Sequence, residues 1–354
     1  MLIVDAHQDI AYNALCWGRD YRVNPLHHRA REAHLSFPPA TIGLPDALLG
    51  RVGVVFASIF TAPDTGKPSK LPYERPTYRN AKEAYSAGMR QMDYYHRLAD
   101  EEGKIVLIRD KGDLESVLQT WQADSPMNTH NQGLVISFEG ADPITEPRQF
   151  EEWYERGVRV VGLAWGQTRY SGGTGFPSGL SREGFALLDV LSAFNVIVDL
   201  AHSSEKAFYE TLDVYQGVVI ASHANPRHFC DTDRHLSDKM IRRLAERDGV
   251  MGVVLCNPFL SSRWSNSDPK SKVPLAIVAN VVDYVCQLTG SAQHIGIGSD
   301  FDGGFGANVI PEDLDTVGDL LKIADLLKER GYTEADILAI MGENFLRQLK
   351  AILR

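Results

Sequence analysis

Nine short runs of apolar, largely β-branched residues recur along the chain and are nearly continuous in hydrophobicity, without alternation. They are Leu2–Ala6, Val52–Phe60, Ile105–Ile108, Leu134–Phe138, Val158–Trp165, Val196–Ala201, Val218–Ser222, Val250–Cys256 and Ile295–Ser299. A strand that is apolar on both faces is one that is covered on both faces, which is the habit of parallel sheets. Amphipathic segments lie between most of these runs, and Glu183–Phe194, Glu205–Val214, Asp238–Arg247, Leu275–Leu288, Leu314–Arg330 and Glu334–Leu353 read as helices. Ser237 supplies an N-cap, Thr333-Glu334-Ala335-Asp336 resembles a capping box, and Gly331 stands where a helix-ending glycine would. Strand–helix alternation repeated about eight times predicts an α/β fold, a single (β/α)8 TIM barrel. The ninth run, Ile105–Ile108, is the one to leave out of the ring, because no candidate functional side chain follows it. A doubly wound sheet is the alternative, but no GxGxxG follows any of the runs.

The chain has 354 residues, long for one domain, and the excess falls in two connections, about 10–51 and 61–104. The second holds a polar helix from about Tyr78 to Glu101, and Ala62–Pro76, rich in Pro, Lys, Ser and Thr, is expected to be an exposed excursion. Residues 1–354 are therefore expected to form one barrel domain. With 36 Lys and Arg against 46 Asp and Glu, the net charge of −10 repels phosphate backbones, so nucleic acid is not an expected partner. Met1-Leu2-Ile3-Val4-Asp5-Ala6-His7 does not read as a signal peptide, and no run is long enough to span a bilayer, so the expected setting is cytoplasmic and free of membrane. Cys16, Cys230, Cys256 and Cys286 are widely spaced and read as reduced thiols.

In a (β/α)8 barrel the active site gathers at the C-terminal ends of the strands. Those ends carry His7-Gln8-Asp9, Glu139, His202, His223 and Asp300. Side chains two apart on a strand point the same way, so His7 and Asp9 can face one ion. Imidazole nitrogen and carboxylate oxygen suit zinc or another divalent first-row metal, and a carboxylate such as Glu139 can bridge two. Two ions about 3.5–4 Å apart lower the pKa of a shared water and polarise a substrate oxygen. A single strand-end histidine is more often structural, but five such ends together point to a metal site. The remaining histidines, among them His28, His130 and His235, are assigned surface or capping roles.

These residues fall within seven blocks. They are Asp5-Ala6-His7-Gln8-Asp9, Ser137-Phe138-Glu139-Gly140, Asp199-Leu200-Ala201-His202, Ser222-His223, Arg234-His235-Leu236-Ser237-Asp238, Gly298-Ser299-Asp300-Phe301-Asp302-Gly303 and Gly342-Glu343-Asn344-Phe345-Leu346-Arg347. In this order, spanning nearly the whole chain, they resemble the membrane dipeptidase (renal dipeptidase) family of the metal-dependent amidohydrolase superfamily. The resemblance implies a hydrolase with two zinc ions. His7, Asp9 and Glu139 would hold one, and Glu139, His202 and His223 the other. Asp300 would act as general acid and base for attack by a metal-bridging hydroxide on a dipeptide amide, and Arg234 would bind the substrate carboxylate. The family commonly forms homodimers. One departure stands out: where the family carries a histidine that helps bind the scissile carbonyl, this chain has Trp165, which can donate one hydrogen bond but cannot become cationic. Either Trp165 reshapes the substrate pocket and Gln167, Arg169 or Tyr170 supplies the donor, or the substrate differs. An N-acyl amino acid is the alternative substrate, and a non-catalytic, metal-stabilised binding protein is the alternative role.

Overall fold

In the computed structural model, which describes residues 1–67, 71–122 and 124–354, eight parallel strands close into a ring. They are β1 (Ile3–Gln8), β2 (Val52–Phe60), β3 (Gln132–Glu139), β4 (Val158–Gly162), β5 (Ile197–Asp199), β6 (Val219–Ala224), β7 (Val250–Val253) and β8 (Ile295–Ile297). Neighbours in sequence are neighbours in the ring, and β1 pairs with β8 through Asp5 and Ile297. The β2–β3 seam is the longest, in unbroken register from Val54 opposite Gly133 to Phe60 opposite Glu139. The continuous hydrophobicity has its expected meaning, for every residue of β3 is buried.

The ninth run forms a short strand, Ile105–Leu107, outside the ring. It pairs with Gln132–Leu134 at the start of β3, whereas β4 pairs with β3 only from Ile136 onward. Among the described strands it pairs with β3 alone, so it extends the sheet at its lower edge instead of closing the ring.

Two apolar layers hold the barrel. The larger packs the outward strand residues against the surrounding helices, with Trp153, Tyr95, Phe150 and Phe208 fully buried. The second joins Val54, Phe56, Val135, Val160, Ile197 and Ile220 to Phe345, Leu346, Leu349 and Ile352 of the C-terminal helix Asn344–Ile352. That helix packs under the strand starts; a Cβ at Gly296, in β8, would lie 2.5 Å from the Phe345 ring.

Most predicted helices form where expected, and Ser237 caps Asp238–Glu246 by accepting from Met240 N–H. Two differ from their sequence reading. Leu314–Arg330 begins as a turn and a 3-10 segment, Val317–Leu320, because Thr316 and Asp319 make a reciprocal capping box there; the α-helix is Leu321–Glu329. Glu334–Leu353 is broken by a π-helical turn at Ala339–Glu343, where Gly342 lies against the backbone of β1. Thr333 accepts from Asp336 N–H, so its cap is one-sided.

The first excursion carries a short helix at Ile10–Tyr12, a π-helical turn at Asn13–Trp17 and helices Pro25–Glu32 and Leu44–Leu49. The second is dominated by helix Ala81–Glu101. Part of the expected exposed stretch Ala62–Pro76, residues 68–70, lies outside the described residues. Among the described residues no helix is long and apolar enough to cross a membrane.

Candidate metal centre

At the C-terminal rim of the barrel, the polar residues that end the apolar runs meet. The approach depends on local departures from regular strand geometry. From Asp5 to Gln8, β1 advances three residues while its partner advances two, from Val55 to Ala57, and such a slip re-aims the side chains beyond it. His202, Asp300 and Asp302 adopt left-handed backbone conformations, with φ of 63°, 59° and 62°. That conformation is uncommon outside glycine and collects at functional sites. Strands β6 and β8 approach closely: a Cβ at Gly298 would stand 1.8 Å from the Ser222 carbonyl oxygen.

His7 Nε2 lies 3.5 Å from Asp9 Oδ2, 3.7 Å from Glu139 Oε2 and 3.9 Å from Asp300 Oδ1. On the other side of Glu139, Oε1 is 3.1 Å from His202 Nε2 and 3.4 Å from His223 Nε2. The two carboxylate oxygens of Glu139 thus face two different sets of imidazoles. The His7 and His223 rings stack at 3.7 Å. Two overlapping groups, His7–Glu139–His223 and His7–Asp9–Asp300, each bring three ligand atoms within 4.8 Å of one another.

A cation fits this donor set. Asp9, Glu139 and Asp300 are three buried carboxylates in one place, and His7 Nε2 is buried without a hydrogen-bond partner. Burial pushes Glu139 well above the usual carboxylate range and Asp300 up to about 7, with His7 acting the other way on both. Burial alone would lower His7, but Glu139, Asp9 and Asp300 outweigh it and raise the imidazole to about 10. The cluster therefore draws positive charge toward itself. Burial holds His202 and His223 neutral, the form in which imidazole binds a metal.

The outer ring nitrogens are engaged. His202 Nδ1 is 3.0 Å from Thr174 Oγ1, and His223 Nδ1 is 2.7 Å from Ser222 Oγ, which in turn donates to Asp199. Asp9 Oδ1 accepts from Ser58 Oγ. Such partners orient a ligand and fix its tautomer. Asn13 Nδ2 donates both to Asp9 O at 3.0 Å and to Asp302 O at 2.8 Å, joining the ends of β1 and β8. Arg19, itself bound to Glu32, donates to Asn13 Oδ1, and Thr41 donates twice to Asp302 Oδ1. The first excursion is therefore a brace for the site.

A cavity of about 650 Å³ opens above the centre, and Arg234 and Trp165 both line it. Arg234 is buried; Nη2 donates to the His223 carbonyl at 2.8 Å, while Nε and Nη1 have no partner within the protein. A guanidinium with free donors at a cavity wall suits a carboxylate. Trp165 stands half-exposed at the mouth, edge-on to Phe60 at 5.2 Å and 6.3 Å from the His202 ring.

The sequence-predicted ligands His7, Asp9, Glu139, His202 and His223 thus meet in one cluster, and Asp9, Glu139, His202, Asp300, Arg234 and Trp165 line the cavity above it. The proposed substitutes for the missing histidine do not. Arg169 donates to Asp142 and to the Thr145 carbonyl, Tyr170 is buried and donates to the Ile144 carbonyl, and Gln167 is outside the lining. His28, His130 and His235 are buried, against the surface roles expected of them; His130 stacks on Trp121 at 3.9 Å, and His28 Nε2 pairs with the Asp20 carbonyl. Sequence reasoning missed Ser58, Thr174 and Asn13, and the five aromatics of the cavity wall besides Trp165. Ser222 and Asp199 lay within quoted blocks, beside ligands, and could have been named.

Comparison with known proteins gives a consistent answer. The family model described as "Membrane dipeptidase (Peptidase family M19)" matches residues 1–353. An uncharacterized dipeptidase of Schizosaccharomyces pombe is 26% identical over 308 residues, covering 85% of this chain and 70% of that protein. Among solved structures, the probable dipeptidase PvdM from Pseudomonas aeruginosa superposes with a TM-score of 0.80 at 20% identity, covering 99% of this chain and 95% of that one. A metallo peptidase from Rhodobacter sphaeroides, liganded with a phosphinate mimic of the dipeptide L-Ala-D-Ala, does so with a TM-score of 0.78 at 19% identity, over 99% of each chain.

Proposed function

The chain belongs to the membrane dipeptidase family, and from that premise we propose that it is a binuclear, zinc-dependent dipeptidase. One observation carries the two-ion reading: Glu139 turns Oε2 toward His7 and Oε1 toward His202 and His223. His7, Asp9 and Glu139 would hold one ion, and Glu139, His202 and His223 the other. Bound divalent ions supply Lewis-acid polarisation of the amide carbonyl and a lowered pKa for the attacking water.

The chain's own residues supply the rest. Arg234 binds the C-terminal carboxylate of the dipeptide through its free Nε and Nη1, which fixes the scissile bond over the centre. Asp300 takes a proton from the attacking water. As the carbon–nitrogen bond breaks, it passes that proton to the leaving amine nitrogen. A carboxyl lifted by burial to about 7 suits a group that must both accept and release a proton near neutrality. Trp165 lines the mouth of the cavity and would contact the substrate there. Since the ligands from His7 to His223 and Asp300 beyond them must meet in one site, the same reading treats residues 1–354 as one domain.

The test is metal analysis of the purified protein combined with hydrolysis assays on L,L- and L,D-dipeptides and on N-acyl amino acids. Two divalent ions per chain with dipeptide cleavage is the expected result. Cleavage of N-acyl amino acids alone moves the substrate class, and full activity after complete chelation overturns the metal mechanism.

A further inference from the structure

Six aromatic side chains stand around the cavity above the candidate metal centre. Tyr12, Phe60, Trp165, Phe176, Phe259 and Phe305 all line it. Tyr12 meets Phe60 edge-on at 5.8 Å and Phe60 meets Trp165 edge-on at 5.2 Å, so a continuous aromatic arc runs from the first excursion, over the end of β2, to the loop after β4. Phe259 lies beneath the Arg234 guanidinium at 5.7 Å. Trp165 and Phe176, both at the mouth, remain 40% and 48% exposed, so apolar surface is left there for something to cover.

The charged lining residues are Asp9, Glu139, Asp300 and Arg234. Each already has a part in the proposed reaction, and among the described residues no other charged side chain lines the cavity. A substrate side chain bearing a charge would lose water there and find no opposite charge to meet. A volume of about 650 Å³ lies well within the range of sites that enclose drug-sized ligands, and is more than a pair of alanines fills.

We propose that the cavity selects dipeptides carrying a bulky apolar side chain, aromatic above all, and that Phe60 and Trp165 are the residues that determine this preference. The inference rests on the dipeptidase reading and extends it to the substrate class. Trp165 then has a definite part: its indole, braced edge-on by Phe60, presents an apolar wall to the substrate at the mouth.

The experiment measures kcat/KM of the zinc-loaded protein on X-Ala and Ala-X dipeptides, with X as Ala, Leu, Phe, Asp and Lys. The better phenylalanyl dipeptide is expected to exceed Ala-Ala by at least ~10-fold, and the aspartyl dipeptides to fall below Ala-Ala. In Trp165→Ala and Phe60→Ala, the Phe-to-Ala ratio should shrink by about 10-fold, while Trp165→Phe should retain most of it. A ratio within one protein is unaffected by the fraction of it that folds. Equal cleavage of alanyl, aspartyl and phenylalanyl dipeptides overturns the proposal and leaves the dipeptidase reading standing. So does a lysyl substrate that matches the phenylalanyl one through cation–π contact, or a ratio unmoved by both alanine variants. Failure to cleave any dipeptide in the series overturns both.

Discussion

Asp300 combines a left-handed backbone with a buried carboxyl, and its backbone N–H donates to the carbonyl of His7. The backbone bond holds its place at the rim, and the side chain is left to titrate. Asp300→Asn keeps the size and removes the proton-accepting oxygen. Metal content by elemental analysis should stay at the wild-type value, while kcat falls by at least ~100-fold. Retained turnover with retained metal would remove Asp300 from the proton path. At this scale the sequence was informative wherever a polar residue ended an apolar run: His7, Glu139, His202, His223 and Asp300 stand out against the valines and isoleucines before them. Arg234 and Trp165 had no such contrast around them, and only the motif match drew attention to them. Ser58 and Thr174 were illegible because a serine inside a strand or a threonine in a loop carries no signal until the imidazole or carboxylate it touches is in place.

Among the elements, the π-helical turn Asn13–Trp17 has the most to do with the site. Such turns are rare and frequent at functional sites, and this one aims Asn13 at two carbonyls from opposite ends of the chain, those of Asp9 and Asp302. Asn13→Leu preserves bulk and leaves both carbonyls and the Arg19 guanidinium short of a partner. It should destabilise the protein by about 1–3 kcal/mol in urea unfolding, the cost of a buried polar group left unpaired. An unchanged midpoint would show the brace to be idle. Strands and helices were legible because burial on both faces and the helical period both leave marks in composition, and even the surplus strand Ile105–Leu107 could be set aside. The two π turns were not legible. Each is set by a contact made only in the fold, Gly342 against β1 in one and Asn13 against the Asp302 loop in the other.

Across the whole molecule, the gathering of carboxylates at one rim sets how the metal-free protein responds to pH. Burial raises Asp300 from 3.8 to about 7, so the folded protein holds a proton there that the unfolded chain gives up. That contribution is complete below about pH 4 and is lost as pH rises through about 7. His7, where the neighbouring carboxylates outweigh burial, acts in the same direction: its contribution is complete below 6.5 and is lost as pH rises through about 10. Below about 6.5 His202 and His223, held neutral by burial, work the other way, so the urea midpoint of chelator-stripped protein should fall between about pH 6.5 and about pH 8, and the fall should be shallower in Asp300→Asn. A midpoint that rises over this interval would contradict the assignment. The ring that makes the site also dates it. Asp5 accepts from both the backbone and the hydroxyl of Ser299, a latch across 294 residues of sequence that seals β1 to β8. A chain growing from the ribosome makes His7 293 residues before Asp300, so the two can stand side by side only after that whole length has been synthesised. Until then the nascent polypeptide can hold histidines and carboxylates but not the assembled cluster, which comes only with the closing of the β1–β8 seam.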